Sequence, residues 1–215
     1  SDVCSSDLSA VISDMDQPLG YAVGNALEVK EAIATLNGNG PKDLRELVLV
    51  LTSLMVVKAG KAKDIREARI LLEETLDSGK ALQVMKEWIV AQGGTAEEVE
   101  HPDLLPQALC QEAVCAEKSG FVTKIHTEEI GRICMLLGGG RAKKGDPIDL
   151  SVGLVLRKKV GDPVHSGESL AILHANDREK LAEAKERLLK AYEIKKEPVA
   201  VRPLIWEILD GTEAE

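Results

Sequence analysis

The pattern of apolar and polar residues begins with a strand, a loop and a helix, in that order. Residues 10–13, AVIS, predict the end of a buried strand. Pro18 and Gly20 mark the loop that follows, because proline fixes φ and glycine tolerates positive φ. This order is typical of α/β sheets, in which ligands bind near the carboxyl ends of the strands. We therefore expect an α/β arrangement at the start of the chain.

The helix after this loop is predicted over residues 26–36. Asn25 has the residue type of an N-cap, and Glu28 follows three residues later in a variant of the capping box. Asn37 and Gly38 are suited to end the helix in a left-handed conformation. The buried face is predicted to carry three apolar residues at helical spacing: Val29, Ile33 and Leu36.

Three more helices are predicted before the middle of the chain. The second begins after Pro41, and apolar residues nearly all round it predict that it is buried. The third is capped by Asp64 with Glu67 and closed by Gly79. In the fourth helix, Trp88 is interpreted as core packing. The apolar residues of the second helix are Leu44, Leu47, Val48, Leu51, Leu54 and Met55.

The character of the sequence changes near residue 106. The polar stretch over residues 93–106 predicts a linker or an excursion, and strand-like runs follow it. A short helix over residues 127–137 is predicted with Thr127 as its cap, and a charged helix runs from residue 177 to about 192. The predicted strands cover residues 113–116, 121–125, 150–156 and 170–174. The predicted divisions are residues 9–106, 107–176 and a C-terminal helix and tail over 177–215.

The composition of the chain limits the kinds of molecule that it is expected to bind. The chain has 215 residues, a net charge of −9 and a pI near 5.1. This charge argues against nucleic acid or an anionic membrane as the natural partner. Apolar runs stay shorter than the roughly 20 residues that a membrane helix needs. The four cysteines lack metal-ligand spacing and predict reduced thiols in a cytoplasmic protein: Cys4, Cys110, Cys115 and Cys134.

Residues 1–8, SDVCSSDL, stand apart from everything that follows. They resemble the translation of a common DNA-sequencing adapter, and the chain has no initiator methionine. We expect these eight residues to be an artefact at the edge of an assembled gene. They are therefore left out of the fold prediction.

Four motifs then follow one another in the sequence. They are residues 14–32 (DMDQPLGYAVGNALEVKEA), 91–94 (AQGG), 137–142 (LGGGRA) and 148–153 (IDLSVG). In this order they resemble the C-terminal half of the pyrimidine-nucleoside phosphorylases, relatives of thymidine phosphorylase. The resemblance covers nearly all of the chain from about Val11. It implies a partial α/β domain with several helices, followed by a β-rich barrel-sandwich (hammerhead) α+β subdomain.

Two alternatives were weighed against this family. Residues 119–122 and 160–170 resemble the two halves of biotinyl and lipoyl carrier domains, which display a lysine on a hairpin between them. The hairpin position after His174 has no such lysine, and Lys158 and Lys159 are predicted to lie on a solvated strand edge. A carrier or a non-catalytic scaffold module is therefore the weaker alternative. Relatives of anthranilate phosphoribosyltransferase share the α/β architecture but lack the hammerhead.

The resemblance implies a reaction. Enzymes of this family use phosphate to convert uridine, thymidine or deoxyuridine into the free base and a pentose 1-phosphate, and they are homodimers. Their phosphate-binding Lys-His-Ser-Thr-Gly-Gly stretch and their base-binding Arg, Ser and Lys residues do not occur in this sequence. In the family these residues precede the segment that residues 13–17 match. We therefore assign no catalytic residue and expect the chain to be inactive alone.

The resemblance also implies a potassium site. The matching ligands are the backbone carbonyls of Leu19 and Ala22 and the carboxylate of Glu31. Oxygen ligands with one negative charge suit a hard cation. Because the remaining ligands would come from the phosphate-binding loop, the chain alone is expected to bind potassium weakly or not at all. Phosphate enters as a co-substrate.

The remaining motifs are given structural interpretations. Residues 138–146, GGGRAKKGD, could bind an anion through their backbone amides and basic side chains. The favoured interpretation is a helix C-cap followed by a flexible basic loop. His126, His165 and His174 have no partnered acid in the sequence and receive no catalytic role.

Overall fold

The computed structural model describes residues 8–210, which form nine strands, seven helices and one 3-10 turn. The strands are β1 (Ser9–Ser13), β2 (Ala22–Val23), β3 (Cys110–Cys115), β4 (Gly120–Ile125), β5 (Gly153–Leu156), β6 (Pro163–Val164), β7 (Ser169–Ala175), β8 (Tyr192–Lys195) and β9 (Ile205–Asp210). The helices are α1 (Asn25–Leu36), α2 (Lys42–Lys58), α3 (Ile65–Asp77), α4 (Lys80–Ala91), α5 (Ala96–Glu100), α6 (Thr127–Leu137) and α7 (Arg178–Ala191). Within these residues no helix combines the length and apolar character that crossing a bilayer requires.

The strands form three antiparallel sheets, and this mixture of helices and sheets confirms the α/β class. The orders are β1-β9, β2-β5-β7-β3 and β6-β4-β8. Within the described residues the sheets stay open and do not close into a barrel. The strand predicted at residues 10–13 exists, but its prediction as a buried strand is wrong. Strand β1 pairs only with β9 in this part of the chain and alternates between half-buried and exposed residues.

Both larger sheets share one apolar core with two helices. We call β3–β8 together with α6 and α7 the β-rich unit. Its core contains residues from each of these elements, because apolar side chains alternate along the strands and recur at helical spacing. The largest fully buried side chains in it are Val114, Val122, Ile125, Ile130, Ile133, Val152, Leu154, Leu156, Leu170, Leu173 and Leu188. This core fixes the position of the turn between β5 and β6, which reaches the candidate site.

Helix α1 begins one residue earlier than predicted, and its cap differs. The N-cap is Gly24, and Asn25 is the first helical residue, whose side chain donates instead to the Gly139 carbonyl (3.0 Å). A side chain at position 24 is excluded, because φ is +137° and a Cβ atom would lie 2.6 Å from the Val152 carbonyl oxygen. Glu28 accepts from the amide of the observed N-cap, Gly24 (2.9 Å), and not from Asn25, so the predicted capping box does not form.

The predicted apolar faces of the first two helices are partly wrong. Val29 is 37% exposed, and the buried residues of α1 are Ala26, Leu27, Ile33 and Thr35. Helix α2 is not buried all round: its buried residues are Leu49, Ser53 and Leu54, and Val48, Leu51 and Met55 are exposed. Apolar residues on all sides of α2 therefore did not mean that the helix is buried on all sides. One face is packed, and another has no partner among the described residues.

The remaining helices give mixed outcomes. Asp64 caps α3 as predicted and accepts from the Glu67 amide (2.8 Å). The prediction that Trp88 packs in a core is wrong, because it is 62% exposed on α4. The predicted linker contains the short helix α5 and a 3-10 turn at Pro102–Leu104. Thr127 is the first residue of α6 and not its cap, and within the described residues its hydroxyl has no hydrogen-bond partner.

Strand pairs join the first predicted division to each of the other two. Strand β2 of the first part pairs with β5 of the β-rich unit. Strand β9 of the tail pairs with β1. The boundary near residue 106 and the limits of the other divisions stay predictions. Residues 1–7 of the predicted artefact segment lie outside the described residues.

Candidate cation site

The candidate site is the loop of residues 17–22, which connects β1 with β2 and α1. We call it the 17–22 loop. It lies against Glu31 of α1, Asp43 in the first turn of α2 and Lys159 in the turn between β5 and β6. A cleft of about 1050 Å³ opens beside it and is lined in part by these three side chains. Three segments that are distant in the sequence therefore meet at one loop.

Glu31 holds the end of the loop through backbone amides. Its Oε1 atom accepts from the amides of Tyr21 (2.8 Å) and Ala22 (3.0 Å). Burial raises the pKa of the Glu31 carboxyl above its usual value, and the two backbone hydrogen bonds oppose this rise. Its second oxygen, Oε2, has no hydrogen-bond donor within the described residues. The carboxylate thus keeps one oxygen free on the side of the loop.

Gly20 makes this approach possible. Its φ is +67°, in the left-handed region that glycine tolerates. A Cβ atom at this position would lie 2.1 Å from Oε2 of Glu31, so the carboxylate occupies the space that any side chain would need. The glycine seen in the sequence as loop punctuation is therefore required by the contact with Glu31.

Lys159 corrects the prediction of a solvated strand edge. Its side chain is only 12% exposed. The ammonium donates to the carbonyls of Pro18 and Gly20 (2.7 Å to Gly20) and to Oδ2 of Asp43 (2.9 Å). No local sequence pattern indicates this contact, because Lys159 lies 116 positions from Asp43. Sequence reasoning also missed Asp43, whose Oδ2 accepts from the Gly20 amide (3.1 Å).

The loop carbonyls divide into two sets. Lys159 takes the carbonyls of Pro18 and Gly20, and the Leu156 amide donates to the carbonyl of Tyr21 (2.8 Å). Within residues 8–210 no donor contacts the carbonyl of Leu19. Because the Leu156 amide bonds to the carbonyl of Tyr21, the next pair along the ladder, Ala22 with Val155, is a non-hydrogen-bonded one. Both polar groups of Ala22 therefore point away from β5.

This arrangement fits the donor set that a hard monovalent cation prefers. The carbonyls of Leu19 and Ala22 are among those of the loop that have no donor within the described residues, and the free carboxylate oxygen belongs to Glu31. All three groups are oxygens, and they carry one negative charge. Over the described ranges, His, Cys, Asp and Glu do not gather in threes as a zinc-type site would require. The role of these three residues as cation ligands stays a prediction.

The glycine-rich basic loop and the histidines noted in the sequence make structural contacts, and we assign them no role in chemistry. Gly138 caps α6 in the left-handed conformation (φ +109°), and the Lys143 amide in the basic loop donates to Asp146 (2.8 Å). His126 has an acidic partner that the sequence did not reveal, since its Nε2 lies 3.0 Å from Oε1 of Glu193. We assign none of the histidines a catalytic role.

The carrier alternative loses its remaining support. Strand β7 leads through Asp177, the N-cap, into α7 and not into a hairpin that displays a lysine. In the turn after β5, Lys159 is held by the 17–22 loop, and Lys158 donates to the Pro163 carbonyl (2.8 Å) and pairs with Glu168. Neither lysine is free to carry a swinging cofactor.

Two family models match the chain. Residues 5–82 match the one described as "Glycosyl transferase family, a/b domain", and residues 121–195 match the one described as "Pyrimidine nucleoside phosphorylase C-terminal domain". Together they cover most of the sequence. They meet in the structure at the 17–22 loop, where Lys159 of the second matched region contacts residues of the first.

Curated relatives agree with these matches. The chain is 50% identical over 198 residues to the pyrimidine-nucleoside phosphorylase of Geobacillus stearothermophilus, covering 92% of this chain and 46% of that protein. It is 58% identical over 167 residues to the enzyme of the same name from Bacillus subtilis (strain 168), covering 78% and 39%. The chain thus spans less than half the length of these relatives. Over the matched residues, it belongs to the pyrimidine-nucleoside phosphorylase family.

Proposed function

We propose that this chain is part of an enzyme that catalyses the phosphorolysis of pyrimidine nucleosides. Phosphate attacks the anomeric carbon of uridine, thymidine or deoxyuridine, the bond to the base breaks, and the products are the free pyrimidine and a pentose 1-phosphate. The observation that carries this proposal is the identity of 50–58% to proteins named pyrimidine-nucleoside phosphorylase. We further propose a homodimer and, because the three described cysteines are free thiols, a cytoplasmic location.

The contribution of this chain to the reaction is the 17–22 loop. Leu19 and Ala22 would hold potassium through their carbonyls, and Glu31 through its carboxylate. A bound cation would supply positive charge beside an anionic substrate. Glu31 also holds the amides of Tyr21 and Ala22, so the same side chain orients the loop. The groups that bind phosphate and the base do not occur among these residues, so we expect the 215-residue chain alone to have no phosphorolytic activity.

A chimera tests this proposal directly. The matching segment of the Geobacillus stearothermophilus enzyme is replaced by this chain, and phosphate-dependent release of uracil from uridine is measured. We expect the chimera to be active, and the 215-residue chain alone to be inactive in the same assay. Activity is compared in potassium chloride and in choline chloride at equal ionic strength, and potassium is expected to activate.

Variants of the chimera locate the cation effect. Glu31→Gln is expected to lower activity in potassium on the order of tenfold to a hundredfold, the range typical of groups that support a metal site. Glu74→Gln serves as the matched control, because Glu74 is exposed on α3 away from the loop. A folded chimera that releases no uracil would contradict the phosphorolysis proposal. Equal activity in both salts would contradict the cation role alone.

A further inference from the structure

The ammonium of Lys159 occupies a complete oxygen cradle. A lysine ammonium has three N–H donors, and here three oxygens accept from it: the Pro18 and Gly20 carbonyls and Oδ2 of Asp43. Burying a charged group is costly unless it is paired and hydrogen-bonded. Asp43 supplies the opposite charge, and the ring of Tyr21 lies 5.6 Å from the ammonium nitrogen. The contact therefore satisfies the charge and every donor.

The hydrogen bonds of Lys159 connect the β-rich unit with the 17–22 loop. Lys159 belongs to the turn after β5, whose strand is buried in the core of the β-rich unit. The next residue repeats the connection, since the Val160 amide donates to Oε1 of Gln17 (3.0 Å). The β-rich unit thus holds the first half of the 17–22 loop, and Glu31 of α1 holds the second half.

The carbonyls on either side of Leu19 both face Lys159. Lys159 donates to the carbonyls of Pro18 and Gly20, whereas the carbonyls of Leu19 and Ala22 have no donor among the described residues. The peptide between Leu19 and Gly20 is held as well, because the Gly20 amide donates to Oδ2 of Asp43 (3.1 Å), and in a planar trans peptide the carbonyl points opposite to the amide. The cradle of Lys159 and Asp43 therefore turns the Leu19 carbonyl away from itself.

We infer that Lys159 is a positioning residue for the cation site: its ammonium draws the carbonyls of Pro18 and Gly20 to one side of the 17–22 loop, so that the Leu19 carbonyl between them is left for a monovalent metal ion, beside the Ala22 carbonyl that the β2–β5 ladder turns outward. This inference rests on the proposed cation role of the loop. It adds a residue of the β-rich unit to the architecture of that site.

The neighbouring lysine provides a matched control. Lys158 has the same chemistry and a similar exposure, with 16% of its side chain accessible. Its ammonium, however, pairs with Glu168 and donates to the Pro163 carbonyl, both in the β-rich unit. Lys158→Ala therefore removes a buried ammonium next to Lys159 without removing a contact to the loop.

The first experiment measures amide hydrogen exchange in the full 215-residue chain by NMR. We expect Lys159→Ala to speed exchange of the Gly20, Tyr21 and Ala22 amides on the order of tenfold, because the loop loses the bonds that hold it. Amides of β7 should be unchanged. Added propylammonium, which replaces the deleted atoms, should slow the loop amides again, and tetramethylammonium, which has no N–H donor, should not. Lys158→Ala should leave the loop at its wild-type rates.

The second experiment uses the chimera introduced above. Lys159→Ala is expected to raise the potassium concentration for half-maximal activation on the order of tenfold, with the KM for uridine unchanged. Lys158→Ala should leave both values as they are. This separation of the potassium requirement from nucleoside binding is a result that general loss of structure does not produce.

The outcomes separate this inference from the proposal on which it rests. Unchanged loop exchange in Lys159→Ala overturns the inference, and so does equal or tighter activation by potassium. If no variant of the active chimera depends on potassium, the cation role of the loop falls, and the exchange data then report only on how the loop is held. If Lys159→Ala fails to fold, Asp43→Asn tests the same cradle from the α2 side. Wild-type loop exchange in that variant also overturns the inference.

Discussion

The β-rich unit and the helices α2–α4 differ in how many of their apolar side chains are buried. In the β-rich unit, α6 buries Ile130, Ile133, Cys134 and Leu137 against the core of the sheets. Helix α3 has the same periodic separation of apolar and polar residues but buries only Ala68, and α4 has no buried residue within the described chain. The difference shows that periodicity identifies the apolar face of a helix, and only a neighbouring element decides whether that face is covered.

The two regions also differ in how much apolar packing accompanies their ion pairs. Arg187 and Glu129 join α6 with α7 beside the filled apolar core of the β-rich unit, whereas the ion pair between α2 and α3 is accompanied by few buried apolar side chains. The guanidinium of Arg69 makes two parallel hydrogen bonds with Glu46 (2.8 and 2.7 Å) and a third with Glu73 (3.1 Å). Ion pairs at a surface are weakened by salt, and apolar packing is not. The helical region is therefore expected to depend more on its ion pair, and hence on salt and pH, and the β-rich unit is expected to depend more on its packed core.

The largest effect is expected for Leu173→Ala in β7. Leu173 is fully buried in the central part of the four-stranded sheet, so truncation leaves a cavity in the shared core. We expect the free energy of unfolding to fall by about 2–5 kcal/mol, measured by urea denaturation. Val84→Ala, at an exposed position of α4, is the control and should change this free energy far less. Similar losses for both variants would contradict the comparison.

A smaller effect is expected for Arg69→Met, which removes the guanidinium and keeps an apolar stem. We expect a loss of about 0.5–1 kcal/mol at neutral pH, because the pair is partly exposed. The hydrogen bonds from Arg69 hold the pKa of the Glu46 carboxyl below its usual value. Stability from this pair is therefore present above the unfolded pKa and is lost as the pH falls through the lowered folded pKa.

Thermal unfolding of both proteins at neutral and acidic pH checks this prediction. The difference between wild type and Arg69→Met should shrink as Glu46 becomes protonated, and it should also shrink in high salt. A difference that is constant across pH would show that the stem of Arg69, and not its charge, joins the two helices.

The smallest effect on stability is expected for Trp88→Ser in α4. The two residues have similar helix propensities, and the indole is mostly exposed, so the free energy of unfolding should stay within about 0.5 kcal/mol of wild type. Dilute protein is used for the unfolding measurement, and sedimentation at rising concentration reports self-association. A loss that grows with protein concentration would show that a second copy covers this face.

Local chemistry explains which elements were predictable. The Asp64 cap of α3 depends on residues that are neighbours in the sequence, and it formed as predicted. The cap of α1 did not, because the approach of Val152 requires a glycine at position 24 and draws Asn25 toward Gly139. Trp88 was misplaced for a similar reason: its helix was predicted correctly, but no sequence pattern states what lies opposite the helix.

The sequence by itself determined the family, through the order of its motifs, and most helices, through spacing and end signals over a few residues. It also pointed to Leu19, Ala22 and Glu31, though only by resemblance. The tertiary structure alone decided the role of Lys159, which the sequence placed on a solvated edge. The physical reason is distance along the chain: Lys159 meets Asp43 across 116 positions, and only the packed core of the β-rich unit brings that ammonium to the loop.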